Sequence, residues 1–125
     1  MDNPLRTPLD LPPFACKTIT KEVIIESMEK RTPHRQLSYV KRLIEEGKIR
    51  STFSALTGAA ALGFDFDGMV AAIMVMSPKD FYKSMTTYAD HKVWQDVYRP
   101  TTGAGAIYIK LTVIDDVLIV SFKEL

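Results

Sequence analysis

The sequence predicts an α+β fold in which three helices pack on one face of an antiparallel sheet. The segments with helical spacing fall before residue 77, and the segments rich in strand formers fall after it. Runs of helices followed by runs of strands are typical of this class. The last segment, residues 106–123, alternates apolar and polar residues on both sides of an acidic pair, which is the pattern of a half-buried hairpin.

The length, charge and cysteine content of the chain limit the classes of protein to which it can belong. A chain of 125 residues with 46% hydrophobic content is expected to bury one core and form one domain. Its 16 basic and 15 acidic residues nearly balance, so a nucleic-acid site would have to be a local basic face. The single cysteine, Cys16, excludes an internal disulfide. Because no segment has the pattern of a signal peptide or a membrane span, we expect a soluble cytoplasmic protein.

Residues 1–27 differ from the rest of the chain. Prolines at positions 4, 8, 12 and 13 indicate an extended arm. Residues 18–26 contain β-branched side chains without clean alternation, which fits a short strand, a helical turn or neither. Alternatively, Met28 is the natural start and the preceding residues come from an upstream start assignment. The predicted domain therefore covers residues 28–125.

The first helix is predicted to begin at Pro33, with Thr32 as its N-cap, and to end at Gly47. Apolar residues with helical spacing form its inner face: Leu37, Val40, Leu43 and Ile44. Its opposite face carries Arg35, Lys41, Arg42 and Glu45. We interpret this charged face as a solvated surface in preference to a nucleic-acid footprint.

Two further helices follow a brief extended link at 48–50. Thr52 is the predicted cap of the second helix, 53–62, and Asp65 or Asp67 is the predicted cap of the third, 66–76. The third helix is apolar nearly all round, so we expect it in the centre of the domain. Its methionines are interpreted as core residues and not as metal ligands.

Four strands complete the predicted fold. A capping sequence at 77–80 opens a short turn, and strands are expected at 82–88, at 94–98 and on both sides of Asp115 and Asp116. If this acidic pair alone forms the hairpin loop, Tyr108 lies opposite Lys123 on the polar face. A slip of one residue would bury Lys123, so the pattern favours this register. The apolar pairs in it are Ile109–Phe122, Leu111–Val120, Val113–Leu118 and Ile114–Val117.

Several kinds of catalytic site have no motif here: a zinc cluster, a phosphate-binding glycine loop, a serine elbow and a dinucleotide fingerprint. His34 and His91 are the only imidazoles, and nothing in the sequence brings them into one cleft. His91 lies on a loop beside Asp90, where we favour a structural role over proton transfer. The remaining polar side chains lie mostly in the strands: Lys83, Tyr88, His91, Gln95, Tyr98, Arg99, Tyr108, Lys110 and Lys123.

This set is poor in nucleophiles and rich in hydrogen-bond donors and positive charge, which suits a phosphodiester. In RNA the substrate's own 2′-hydroxyl attacks the adjacent phosphate, so the enzyme needs to position the backbone, stabilise negative charge and move two protons. A tyrosine such as Tyr108 would transfer a proton if neighbouring ammonium groups lowered its pKa below the usual value of about 10. Most exposed Tyr and Lys pairs on a strand serve packing and solubility, which counts against this reading.

Five stretches carry a resemblance to a known family: MEKRTPH (28–34), LGFDFDGM (62–69), DFYKSMTTYADH (80–91), WQDVYRP (94–100) and DDVLIVSFKE (115–124). They resemble the MqsR family of bacterial toxins, which are mRNA interferases of type II toxin-antitoxin systems. The resemblance covers residues 28–125 and does not extend to residues 1–27. It implies a RelE-like fold and ribosome-independent cleavage of single-stranded mRNA at GC-containing triplets such as GCU.

The resemblance also implies a partner and a site. The partner is an MqsA-type antitoxin with a zinc-binding domain and a helix-turn-helix domain; no metal or other cofactor and no membrane is implied for the toxin. The family's proposed active-site residues correspond to Lys83 in FYKSM, Gln95 in WQDVY, Tyr108 in IYIK and Lys123 in SFKE. Lys83 and Gln95 share a face only if, in the strands around His91, the numbers of each pair of opposite residues add up to an even number. The sequence leaves this register open.

Two departures from the family pattern affect the site. Asp115 replaces a histidine of the best-known member, so an imidazole role in that turn is not expected, and the loop at 101–106 lacks the basic residues that would bind an RNA backbone. As hypotheses, Tyr108 or a lysine-activated water moves protons, Lys83 and Lys123 stabilise the transition state, and Gln95 orients the phosphate or a base. Tyr88 or Trp94 would stack on bases, although Trp94 fits the core better.

Two rival functions remain open from the sequence. One is a catalytically inactive binding module that engages an antitoxin or a transcript. The other is a DNA-binding regulator, which has no recognition-helix signature in its support.

Overall fold

A computed structural model describes residues 28–87 and 92–125. These residues form three α-helices, a 3₁₀ turn at Pro78–Asp80 and seven strands. The helices are α1 (Leu37–Glu45), α2 (Phe53–Ala61) and α3 (Phe66–Met74). The strands are β1 (Glu29–Lys30), β2 (Ile49–Ser51), β3 (Phe81–Thr86), β4 (Trp94–Tyr98), β5 (Thr101–Thr102), β6 (Gly105–Val113) and β7 (Val117–Glu124). The predicted α+β class is confirmed. The arm at 1–27, with Cys16, and the residues Tyr88 and His91 lie outside the described residues.

The sheet has the strand order β1-β3-β4-β6-β7-β2, with the short β5 paired to β6. All neighbours are antiparallel except β2 and β7, which run parallel from Ile49–Val117 to Ser51–Ile119. The four predicted strands pair antiparallel as expected, and the segment interpreted as an extended link is an additional, parallel edge strand. It joins the sheet because the chain crosses from α1 to α2 directly beside β7, where the amide of Thr52 donates to the carbonyl of Ile119 at 3.0 Å.

One hydrophobic core lies between the helices and the sheet. Ile107, Ile109 and Leu111 of β6 point into it and are fully buried. The inner face of α1 contributes the four apolar residues predicted from their spacing: Leu37, Val40, Leu43 and Ile44. No single helix among the described residues is long and apolar enough to cross a membrane, and α2 with α3 passes that test only as a pair bent by 86°.

Helix α1 begins at Leu37, four residues later than predicted. The buried carboxylate of Asp96 in β4 accepts hydrogen bonds from the amides of His34 and Arg35, at 3.0 and 3.1 Å. Because these amides are bonded to the sheet, the segment before Leu37 forms a connecting loop and not a first helical turn. The predicted cap at Thr32 is therefore wrong, since such a tertiary contact leaves no local signal in the sequence.

Helix α2 begins as predicted, because the hydroxyl of Thr52 accepts a hydrogen bond from the amide of Ala55 at 3.0 Å. The same hydroxyl donates to the carbonyl of Val120 at 3.0 Å and so fastens the helix to β7. Gly58 faces the strand at the closest approach. A Cβ atom at this position would lie 2.2 Å from the carbonyl oxygen of Phe122.

Helix α3 is capped by Asp65, whose carboxylate accepts from the amide of Gly68 at 2.7 Å. The expectation that this helix is central all round is wrong. Met69 and Ile73 are fully buried, whereas Val75, just past the end of the helix, is 80% exposed. The helix packs its inner face on the core and leaves its other face at the surface. Some of its apolar residues are therefore exposed.

The hairpin of β6 and β7 has the predicted register only at its open end. Tyr108–Lys123, Ile109–Phe122 and Lys110–Ser121 pair as expected. Nearer the turn, the pairs are Leu111–Ile119, Thr112–Leu118 and Val113–Val117. Val120 is thus an extra, bulged residue, and the predicted pairs Leu111–Val120, Val113–Leu118 and Ile114–Val117 are wrong.

The bulge follows from the turn. The acidic pair lacks the glycine that a two-residue type I′ loop favours, and the loop contains a third residue, Ile114. The additional loop residue shifts the pairing of the two strands by one position. The bulged residue Val120 shifts it back, so beyond the bulge the strands have the predicted register. Val117 and Ile119 are consequently buried before the bulge, and Phe122 is buried after it.

Candidate active site on the open face of the sheet

The face of the sheet opposite the helices carries all four residues that the resemblance assigns to the site. In the pairing of β3 with β4, Lys83 lies opposite Val97, and Met85 lies opposite Gln95. In both pairs the two residue numbers add up to an even number, so odd-numbered residues of the two strands point to the same side. Lys83 and Gln95 therefore share a face. The condition that the sequence left open is thereby met.

The same face continues across the two long strands. Gln95 lies opposite Thr112 of β6, which places Tyr108 on the side of Gln95 because residues two apart along a strand share a face. Tyr108 in turn lies opposite Lys123 of β7. Alternation in β6 thus places Tyr108 on the open face, and the pairing with β7 brings Lys123 beside it, as the sequence predicts.

Tyr108 is half-buried between two ammonium groups. The Nζ atom of Lys123 lies 5.1 Å from the centroid of its ring, and that of Lys110 lies 5.9 Å away. Both distances are within the range of attraction between a cation and an aromatic face, about 6 Å. Two cations therefore lie beside this ring on the open face.

The pKa of Tyr108 moves opposite to the direction expected from the sequence. Burial of the ring raises the pKa above its ordinary value, and the positive charge of Lys83 offsets this only in part. The expectation of a lowered pKa was wrong because it counted the neighbouring cations and left out the loss of solvent around the ring. Tyr108 is therefore a protonated phenol at neutral pH, suited to donate a proton or a hydrogen bond.

Lys83 is not free in this structure. Its Nζ atom donates to the carboxylate of Glu29 in β1 at 2.7 Å, and its side chain is only 19% exposed. The hydrogen bond from Lys83 lowers the pKa of Glu29, so this carboxylate is ionised at neutral pH. No sequence pattern indicates this ion pair, since β1 has two residues and is added to the sheet edge by tertiary packing alone.

A second aromatic ring with cations around it lies at the end of β3. The guanidinium of Arg99 stacks at 3.9 Å from the centroid of the Tyr82 ring, and that of Arg31 lies at 5.2 Å. Tyr98 pairs with Ile109 in antiparallel strands, so the next residue, Arg99, lies opposite Tyr108. Neither Tyr82 nor Arg31 was among the predicted candidates. Alternation along β3 cannot identify Tyr82, because a bulge lies between Phe81 and Lys83.

These groups form one basic face on a chain whose net charge is only +1. Glu29 is the carboxylate that forms an ion pair with one of these basic groups, the ammonium of Lys83. Because the chain as a whole is nearly neutral, it can attract a polyanion only where its basic residues cluster in this way. The cations on the open face are Arg31, Lys83, Arg99, Lys110 and Lys123.

His34 and Trp94 lie on the helix side of the sheet, away from this face. Their rings stack with centroids 5.5 Å apart, and the Nζ atom of Lys30 lies 4.2 Å from the Trp94 ring and 3.1 Å from Nδ1 of His34. Burial lowers the pKa of His34, and the nearby charges of Lys30 and Arg35 lower it further. His34 is thus a neutral, packed ring with no part in the open face, and Trp94 is half-buried as a packing residue.

The open face offers positive charge, a proton donor and an amide, which together suit the binding of an anion. Its ammonium and guanidinium groups are able to neutralise an anion, the phenol of Tyr108 is able to donate a proton, and the amide of Gln95 offers both a donor and an acceptor. Within residues 28–87 and 92–125, no three His, Cys, Asp or Glu side chains come together as metal ligands.

Comparison with known proteins identifies close relatives of the chain. Residues 32–124 match the family model described as "Motility quorum-sensing regulator, toxin of MqsA". The chain is 63% identical over 97 residues to the mRNA interferase toxin MqsR of Escherichia coli (strain K12), an alignment that covers 78% of this chain and 99% of that relative.

Proposed function

The chain belongs to the MqsR family of toxins, and from this premise we propose that it is an endoribonuclease that cleaves single-stranded mRNA. The observation that carries the proposal is the open face, where Tyr108 and Lys123 pair directly and Lys83 and Gln95 share their side of the sheet. This face has the charge to hold an RNA backbone and a proton donor for its cleavage. Residues 28–125 are proposed to contain the whole catalytic domain.

In the proposed reaction, the 2′-hydroxyl of the substrate attacks the adjacent phosphorus and expels the 5′-oxygen of the next nucleotide. The ammonium groups of Lys123 and Lys83 stabilise the negative charge that grows on the phosphate oxygens. Gln95 hydrogen-bonds the phosphate or a base and orients it. Tyr108, which is protonated at neutral pH, donates its proton to the departing 5′-oxygen.

The ion pair between Lys83 and Glu29 affects this mechanism. Lys83 must exchange the carboxylate for the phosphate of the RNA, or bridge the two, before it stabilises the transition state. Lys123 forms no ion pair with a described residue and is exposed, so it is available to the phosphate at once. We therefore expect Lys123 to make the larger contribution to RNA binding.

The finer properties of the activity are also proposed from the family. The enzyme is expected to act without the ribosome and without a metal ion, and to prefer GC-containing triplets such as GCU. It is expected to act in the cytoplasm, where mRNA is translated. A cognate zinc-binding, helix-turn-helix antitoxin is proposed as its partner, in agreement with the description of the matched family as the toxin of MqsA.

The decisive experiment uses purified protein, EDTA and two RNA oligonucleotides that differ only in a single GCU triplet. The proposal expects cleavage of the GCU-containing RNA alone, with 2′,3′-cyclic phosphate and 5′-hydroxyl ends. Tyr108→Phe and Lys123→Met should each lower the rate by about 10²–10³-fold, the usual effect of losing an acid or a charge contact in a transition state. Lys48→Met, which removes an exposed lysine away from this face, is the matched control and should cleave normally.

The outcomes separate the rival functions. Intact RNA that nevertheless binds the protein would replace the nuclease by an inactive binding module. Cleavage that Tyr108→Phe and Lys123→Met both leave unchanged would move the active site off the open face. Cleavage that needs added divalent metal would refute a mechanism in which side chains alone stabilise the charge and move the protons.

A further inference from the structure

Lys110 occupies the centre of the open face. It follows Tyr108 by two residues in β6, and the register places Val97 of β4 on one side of it and Ser121 of β7 on the other. Val97 is fully buried although it lies on the side of the sheet away from the helical core, so the side chains around it cover it. Lys110 thus lies between the buried Val97 and Ser121, and the residue itself is half-buried.

The described residues around the Lys110 amine include cations and no acid bonded to it. On its own strand it faces Tyr108, at 5.9 Å from the ring centroid, and Lys123 and Lys83 approach from β7 and β3. From β1, Glu29 is bonded to Lys83. Among the described residues, Lys110 has no ion-pair partner. Among the residues that the structure describes, the other titratable or charged groups on this face are Tyr82, Arg99 and Arg31.

We propose that Lys110 is a further catalytic residue, the general base that removes the proton of the attacking 2′-hydroxyl. The inference rests on the function proposed above and goes beyond the four residues that the family resemblance supplies. The neutral amine of Lys110 accepts the 2′-proton and becomes an ammonium group while the bond from the 2′-oxygen to phosphorus forms. The bond from phosphorus to the 5′-oxygen breaks, and Tyr108 supplies the proton that this oxygen takes. The products are a 2′,3′-cyclic phosphate and a 5′-hydroxyl.

The two ionisable groups are suited to opposite roles. Burial lowers the pKa of Lys110, and the charges of Lys123 and Lys83 lower it further, which makes the neutral amine easier to reach. Burial raises the pKa of Tyr108, which keeps the phenol protonated. Burial favours the neutral form of each group, which is the form that its proposed role requires.

The pH dependence follows from these roles. A rate that needs the neutral amine of Lys110 rises with pH up to the pKa of that group, and a rate that needs the phenol of Tyr108 falls above its pKa. Lysine to arginine separates the role of a base from that of a charge, because an arginine stays protonated at every accessible pH. Lys110→Arg should therefore lose about 10²–10⁴-fold in rate. Lys48→Arg, at the exposed lysine away from this face, is the matched control and should cleave at the wild-type rate.

A substrate with sulfur in place of the 5′-bridging oxygen assigns the two protons separately. A thiolate leaves without a proton, so this RNA should restore most of the rate lost in Tyr108→Phe and nothing of the rate lost in Lys110→Arg. With wild-type protein, the rising limb of the pH profile should persist on the sulfur substrate and the falling limb should disappear. Circular dichroism and urea unfolding establish that each variant is folded.

Each result decides the inference. Lys110→Arg that cleaves within about threefold of wild type, with the same rising limb, would show that Lys110 is not the base. If that variant does not fold, a wild-type rising limb that vanishes on the sulfur substrate leads to the same conclusion, and a limb that persists supports the proposal. Failure of the wild-type protein to cleave either RNA would refute the proposed nuclease itself, which is distinguishable from an active enzyme indifferent to Lys110.

Discussion

The packing of α2 against β7 predicts that Gly58→Ala destabilises the protein, although alanine is the better helix former. Gly58 lies within α2, where alanine in place of glycine ordinarily gains about 1 kcal/mol. A Cβ atom here would lie 2.2 Å from the carbonyl oxygen of Phe122 and 3.6 Å from Cβ of Lys123. The contacting atom belongs to the backbone of a strand that is paired on both sides, so it cannot turn away as a side chain would.

The magnitude follows from the distance. An ordinary contact between these atoms needs about 1 Å more room, so α2 must move away from the sheet. Overpacking of a well-packed core costs about 1–3 kcal/mol, and a clash with backbone belongs at the upper end of that range. After subtraction of the gain in helix propensity, we expect a net loss of about 1–2 kcal/mol in the free energy of unfolding.

Urea unfolding of wild type and Gly58→Ala measures this difference. Ala60→Gly, at an exposed position of the same helix, isolates helix propensity and should lose about 1 kcal/mol. Cleavage activity should fall in Gly58→Ala as well, because Lys123 follows the displaced Phe122. A Gly58→Ala protein that is more stable than wild type by about 1 kcal/mol would refute the close approach of helix and strand.

Three further perturbations test other parts of the structure. Asp96→Asn should cost about 2–3 kcal/mol in urea unfolding, because one of the two loop amides bound by the buried carboxylate loses its acceptor; a cost below about 0.5 kcal/mol would contradict this anchoring role. Glu29→Gln should raise RNA affinity and cleavage at low salt by up to about fivefold, because it releases Lys83; a fall in both would mean that Glu29 assists the reaction. Asp116→Asn should lower stability near pH 6. This difference should shrink as the pH falls below the ordinary carboxyl pKa of 3.8, because the hydrogen bond from Arg50 lowers the pKa of Asp116 and its contribution is lost on protonation; a difference unchanged from pH 6 to pH 3 would contradict the ion pair.

The features that the sequence predicts correctly are set by neighbouring residues. The caps at Thr52 and Asp65 are bonds from a side chain to an amide three residues later, so the local sequence contains both partners. The pairing of Tyr108 with Lys123 follows from alternation in β6 and in the part of β7 beyond the bulge, where Phe122 is the buried residue.

The features that it misses depend on contacts between distant segments. The start of α1 depends on Asp96, some sixty residues further on, which bonds the amides of His34 and Arg35. The ion pair of Lys83 depends on the two-residue strand that holds Glu29. Neither contact changes the local pattern of apolar and polar residues, so propensity and periodicity give no signal for either.

The bulge at Val120 links the packing of the domain to the placement of Lys123. Val117 and Ile119 are buried beneath the helices, so an uninterrupted alternation from the turn would also direct Lys123 into the core. The extra residue reverses the alternation, and Phe122 becomes the buried residue while Lys123 faces solvent beside Tyr108. The carbonyl of Val120 is bonded by the cap of α2, so the same contact that begins the helix also fixes the bulge. The three-residue turn, the bulge and the helix cap therefore act together to bring an amine of the last strand to the open face.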